Sequence, residues 1–167
     1  FLFSAGLGVR ERAAQIFDLK DNFGRSQIWQ ANLDMIKARP LLGWGYGNYK
    51  KFRDPYYQRY AGASNTAHAH NNFLQMWVDG GLLGLGAFLS LFWVILKAGW
   101  QAYRLVPVTA EPLYSLALGS TLSIVGFLLG GLTQYNFGDA EVVIVLWATA
   151  GVVLRLREWA AGEGVGC

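Results

Sequence analysis

The sequence predicts an all-α fold: a polytopic α-helical membrane protein fragment with a large, mostly helical loop outside the bilayer. Three observations carry that expectation. The 167 residues are 53% hydrophobic and only 15% charged, richer in apolar and much poorer in charged residues than soluble proteins. Between Arg10 and Arg59, ten basic and five acidic residues leave +5, while the remaining four basic and six acidic residues leave −2. The second part also contains three long uncharged runs. This composition excludes a disordered chain or a nucleic-acid-binding tail. The single cysteine, Cys167, excludes an intrachain disulfide and a cysteine metal cluster. The chain opens Phe1-Leu2-Phe3 without methionine, and no basic segment precedes an apolar stretch. That predicts a piece of something longer, without a signal peptide.

Taken in order, residues 1–79 form the first region. Phe1 to Val9 is apolar and suits the end of an upstream span. Gly24 breaks the chain, after which Ile28, Trp29, Leu33 and Ile36 recur at helical spacing until Arg39-Pro40 stops them. The expectation is an amphipathic helix with Arg25 at its start, suited to the membrane surface. Next comes Pro40-Leu41-Leu42-Gly43-Trp44-Gly45-Tyr46-Gly47-Asn48-Tyr49. Its alternating glycines could bring backbone amides against a phosphate, although no lysine-serine or lysine-threonine pair makes it a Walker motif. A plain tight loop is the commoner outcome of such a run.

Lys50, Lys51, Arg53 and Arg59 then interleave with Phe52, Tyr56, Tyr57 and Tyr60. An interfacial aromatic belt, a stacking platform for sugars and a nucleic-acid surface all remain open, with nucleic acid the poorest fit outside the membrane. Both histidines follow, in Ala67-His68-Ala69-His70-Asn71-Asn72. Asn71 or Asn72 is the expected N-cap of a helix running towards the first span, with Phe73 and Trp77 on one face. Near the positive end of that helix an imidazole favours its neutral, basic form. His-x-His without a third ligand is a weak metal signal. Residue chemistry alone leaves catalysis and a hydrogen-bonded structural pair equally open.

Residues 80–167 supply the expected spans, at about 80–98, 113–133 and 138–155, and a tail. The uncharged runs are Gly80 to Leu96, Pro112 to Gly138 and Val142 to Leu154, of 17, 27 and 13 residues, against about 20 for a spanning helix. The third reaches that length only if Arg155 snorkels and its approach is partly sunk. Buried helices of a soluble α protein are the alternative. Lys97 and Arg104 follow the first run and Arg155 and Arg157 the third, which places those ends in the cytoplasm. The loop before residue 80 and the Asp139/Glu141 turn then share the outer face. Acids so close to a short span make Asp139 and Glu141 a possible second acidic site, with a plain turn the rival. Gly80-x-x-x-Gly84 and Gly126-x-x-x-Gly130 are weak signals for close helix approach.

Four motifs in this order resemble the O-antigen ligase and polymerase superfamily. They are Gly24-Arg25-x-x-x-Trp29, Arg39-Pro40-Leu41-Leu42-Gly43-x-Gly45-x-Gly47-Asn48-Tyr49, Ala69-His70-Asn71-Asn72-x-Leu74-Gln75 and Gly80-Gly81-Leu82-Leu83-Gly84. His70-Asn71, nine residues and then Gly81 also fits the histidine-asparagine signature of the ligases. The resemblance implies a multi-pass protein of the bacterial inner (plasma) membrane, with the residues before about 80 in the periplasm. It implies a glycosyltransferase that moves a glycan from an undecaprenyl-diphosphate carrier to an acceptor hydroxyl. O-antigen ligation to lipid A-core, in lipopolysaccharide biosynthesis, is preferred. Polymerisation onto a growing polysaccharide is the alternative, and a transporter-like membrane protein the non-enzymatic one.

On this sequence the resemblance assigns Arg25 to the carrier diphosphate and His70 to activation of the acceptor. Arg39, Lys50, Lys51, Arg53, His68 and Asn71 are further substrate-binding candidates. No metal and no cofactor is expected, because a diphosphate is already a good leaving group. The implied partners are the carrier-linked glycan, its acceptor and the lipid bilayer.

Overall fold

The computed structural model describes residues 19–61, 63 and 66–162, with side chains from residue 24 onward. The expected upstream span at Phe1–Val9 lies outside the described residues. Among those described, all regular structure is helical. Six helices follow one another: α1 Leu19–Ala38, α2 Tyr49–Phe52, α3 Asp54–Tyr57, α4 Asn72–Leu105, α5 Glu111–Gly130 and α6 Ala140–Ala160.

Helix α1 ends where Arg39-Pro40 stops it, as its sequence predicts. Its start corrects the expectation, because Gly24 lies inside the helix. A single glycine costs only about 1 kcal/mol in a helix interior, too little to break a run of helix formers. Ile28, Ala31, Met35 and Ile36 of α1 pack with Tyr49, Tyr57, Ala69 and Val78 into a core for the loop region. A buried polar knot locks this core. Asn32 Nδ2 donates to Ile28 O (2.7 Å) and to Tyr57 Oη (3.2 Å), and Tyr49 Oη donates to Asn32 Oδ1 (2.9 Å).

Helices α4, α5 and α6 pack on one another as a three-helix bundle. Its core holds Phe88, Phe92, Ile95 and Ala98 of α4, Ile124 of α5, and Leu146, Ala150 and Val153 of α6. Helices α4 and α5 are each long and apolar enough to cross a membrane, yet only 28% and 17% of their most apolar stretches are buried. Trp93 and Leu129, for example, are 70% and 62% exposed. Helix α6 has 21 residues, or about 31 Å of rise. Every 18-residue stretch of it contains at least three of Glu141, Arg155, Arg157 and Glu158, so it fails the same test. Of the glycine pairs, a Cβ added at Gly80 or Gly126 would meet nothing within 4 Å, while one at Gly84 would lie 3.3 Å from Met76 O and one at Gly130 3.6 Å from Asn136 Nδ2.

The decisive feature is a break in α4. Gly81 takes φ 64°, ψ −162°, dividing the helix into a stub, residues 72–80, and a long limb, residues 82–105. An unbroken helix would pair Leu82 N with Val78 O and Leu83 N with Asp79 O. Here Leu82 N donates to Pro40 O (2.8 Å) and Leu83 N to Leu41 O (3.4 Å). The released carbonyls of Val78 and Asp79 accept from Trp44 N and Gly45 N, both at 2.8 Å. The glycine loop thus supplies partners for these four backbone groups, as a buried break requires. Gly43 makes the approach possible, since a Cβ there would lie 2.5 Å from Gly81 N and Val78 O. This run takes the form of the plain tight loop, with several of its amides already engaged. Its Trp44 and Gly45 amides are occupied by α4, and those of Gly43 and Asn48 by Arg39 O and Gly45 O.

Candidate functional site

The histidine turn sits at the top of the α4 stub. Asn71 is the N-cap, its Oδ1 accepting from Leu74 N at 2.9 Å, as the sequence predicts. The expected shared face of Phe73 and Trp77 divides in two. Phe73 packs on the bundle core and Trp77 on the loop core, because the stub stands between them.

Asparagines tie this turn to the α5–α6 connection. Asn71 Nδ2 donates to Leu132 O (2.7 Å), Asn72 N donates to Gly131 O (2.7 Å), and Phe137 N donates to Asn72 Oδ1 (3.1 Å). Asn72 Nδ2 also donates to Asn136 Oδ1. These bonds place Gln134, Tyr135 and Asp139 at the same end of the bundle as the histidines. His70 Nδ1 lies 3.1 Å from Gln134 Oε1. An amide oxygen only accepts, so this contact puts the imidazole proton on Nδ1 and leaves the Nε2 lone pair available.

His70 itself has φ 49°, a left-handed backbone that costs a non-glycine residue about 1–3 kcal/mol. The surrounding bonds hold it there. His70 N donates to His68 Nδ1 at 3.3 Å, and Ala69 N, wholly buried, donates to Gln75 Oε1 at 2.8 Å. The two imidazole rings meet edge to face, 4.4 Å between centroids, and Tyr135 stands 5.4 Å from His68. Burial, with help from His70 and Lys50, pushes the His68 imidazole below its ordinary pKa, against a smaller pull from Asp139. Burial, then Tyr46, Asp79 and Asp139, push the Tyr135 phenol upward. A neutral His68 accepting at Nδ1 carries its proton on Nε2.

The other predicted residues divide. Lys50, which is exposed, and Asp139 both act electrostatically on His68, so they belong to this cluster. Asp139 sits at the N-cap position of α6 without capping it. Glu141 lines, with Asn136, Phe127 and Val145, a groove of about 470 Å³ between α5 and α6. In the aromatic and basic segment, exposed cations lie against the rings. The Arg39 guanidinium lies 4.4 Å from the Trp44 ring centroid, and Lys51 Nζ lies 5.3 Å from that of Phe52. Arg53 is only 8% exposed and bonds Asp54 Oδ1 through Nε at 3.3 Å, which withdraws it from an open phosphate surface. Arg25 is half-buried on α1, a helix packed against α4.

Gln75, Asp79, Tyr46, Gln134 and Asn136 are not among the residues the sequence singles out for this site. Among the described residues, no three His, Cys, Asp or Glu side chains are grouped so as to hold a metal ion.

The comparisons with known proteins agree with the ordered motifs. The exopolysaccharide production protein ExoQ of Rhizobium meliloti (strain 1021) is 30% identical over 137 residues, which cover 77% of this chain and 30% of ExoQ. A Rickettsia typhi (strain ATCC VR-144 / Wilmington) protein provisionally named a polysaccharide ligase is 36% identical over 75 residues. That match covers 42% of this chain and 18% of the relative, so the chain spans under a third of either protein. No solved structure matches. The family model described as O-Antigen ligase matches residues 2–89, the region that holds the loop core, the break and the histidine turn, and the chain belongs to that family.

Proposed function

We propose that this chain forms the catalytic loop and adjoining spans of an inner-membrane glycosyltransferase acting on an undecaprenyl-diphosphate-linked glycan. The observation that carries this reading is the His70–Gln134 contact, in a chain of the O-antigen ligase family. It supports His70 Nε2 as the base. In the reaction, Nε2 takes the proton of the acceptor hydroxyl as its oxygen attacks the anomeric carbon of the glycan. The glycosidic bond to the carrier breaks, and the diphosphate leaves with the electron pair. Arg25 holds that diphosphate and stabilises its growing charge.

The exposed apolar flanks of α4 and α5 support placing the bundle in a bilayer. Lys97, Arg104, Arg155 and Arg157 lie towards its far end and support a periplasmic histidine turn. Helix α6 serves as the third span, with Arg155 and Arg157 reaching the interface.

The preferred acceptor is lipid A-core. Polymerisation of an exopolysaccharide is the second reading, favoured by the wider coverage of this chain by ExoQ. In the full-length protein, His70→Ala and Arg25→Ala each abolish transfer while membrane insertion persists. Normal transfer by both overturns these roles. Deleting the full-length gene separates the acceptors. Loss of long chains from lipopolysaccharide, with carrier-linked polymer accumulating, indicates a ligase. Chains of a single repeat indicate a polymerase.

A further inference from the structure

The α4 stub carries a buried acid for which the proposed reaction has no use. Asp79 is 5% exposed, and its Oδ1 has no hydrogen-bond partner among the described residues. Its Oδ2 accepts from Gln75 Nε2 at 2.9 Å. An i,i+4 pair of this kind on a helix is ordinary. What Gln75 does with its other end is not: Oε1 leaves the helix and accepts from Ala69 N, between the two histidines. Stability alone gives little reason to bury a carboxylate with one oxygen unsatisfied, since an apolar side chain of similar size is often as stable or more so.

We propose that Asp79 is a positioning residue for the histidine turn, acting through Gln75. This rests on the glycosyltransferase reading above. The physical need is directional. The two ends of a glutamine amide are nearly identical in shape but opposite in hydrogen bonding. Ala69 N needs an oxygen, so Gln75 must present Oε1 upward and Nε2 downward. A carboxylate oxygen below Nε2 rewards that orientation, because an oxygen facing an oxygen would repel. Asp79 therefore selects one amide orientation, Gln75 fixes Ala69, and Ala69 sets the left-handed turn from which His70 projects. The break at Gly81 adds rigidity to the base of this relay, because Gly45 N holds the Asp79 carbonyl at 2.8 Å.

The test exchanges the two chemistries in the full-length protein, with steady-state transfer from carrier-linked glycan measured beside membrane insertion and thermal unfolding. Gln75→Glu sets two carboxylates against each other. The expected result is a kcat lower by about tenfold or more, with KM for the carrier within about twofold. The double variant Gln75→Glu/Asp79→Asn restores the pattern, since the carboxylate introduced at position 75 accepts from both Ala69 N and the amide introduced at position 79. Its kcat should recover to within about threefold of the parent.

Parental kcat in Gln75→Glu, or a double variant no better than Gln75→Glu, overturns the proposal. Should Gln75→Glu fail to insert, Asp79→Asn takes its place: its carboxamide no longer enforces one Gln75 orientation, and the double variant must exceed it. His70→Ala runs alongside. If His70→Ala remains active, the glycosyltransferase reading has failed. If it is inactive and the exchange pattern is absent, only the Asp79 role has failed.

Discussion

On the glycosyltransferase reading His70 is a base, and the Gln134 amide oxygen decides which of its ring nitrogens carries the proton. Gln134→Leu removes the acceptor for Nδ1 and lets the proton sit on either nitrogen, so kcat should fall by about tenfold or more with insertion unchanged. Gln134→Glu, which still accepts there, should keep substantial activity, and a transfer assay on the pair checks both. His68 gives a prediction about pH. Its folded-state pKa lies below the ordinary imidazole value because burial disfavours the charged form. The unfolded chain therefore takes up the proton first as the pH falls. Stability is retained above about pH 6.5 and is lost as the pH drops from there through the folded-state value. Thermal unfolding across that window should show His68→Gln losing less stability than the parent.

Helices were easier to find in the sequence than the bonds between them. Arg39-Pro40 marked the end of α1 and Asn71 marked the start of α4 because each signal is local, a matter of one residue's geometry or capping. Gly80 suggests only a weak packing signal with Gly84, and nothing local marks a break at Gly81. Only the glycine loop about forty residues earlier decides for the break, by filling it. The Gln75–Asp79 pair depends on side-chain orientation within one helix, and the Gln134 contact lies across 64 residues, so neither is a local signal.

The break makes a prediction at this scale. Gly43→Ala drives a Cβ into the Gly81 and Val78 backbone at a residue with φ +65°. It should cost about 1–3 kcal/mol and lower the unfolding temperature. Gly86→Ala, with open space around it, should be neutral or gain up to about 1 kcal/mol.

For the whole molecule, the mean composition concealed a division that the fold makes physical. The +5 stretch of sequence includes α1 and the loop core, and the apolar runs became a bundle whose outward faces stay greasy. Lys97 and Arg104 near the end of α4 lie at one end of that bundle, and Asp139 with the histidines at the other. Cysteine introduced at Thr109 and at Asp139 should react with an impermeant maleimide from opposite sides of the membrane, Asp139→Cys from the periplasm. Labelling of both from one side would contradict the three-span arrangement.

The broken helix also sets which parts of the chain can change length. From residue 71 to residue 80 the stub acts as a ruler, each residue adding about 1.5 Å and a turn of about 100°. One residue inserted between Asn71 and Gln75 moves the Gln75 grip on Ala69, the Asn71 grip on Leu132 and the His70 contact with Gln134 out of register together. One residue inserted within 40–45 separates the splint from the break it fills. The short link at 107–110 meets neither constraint. Length, more than the identity of any one side chain, is thus what the chain must keep within the glycine loop and the stub, and what it can vary at the opposite end of the bundle.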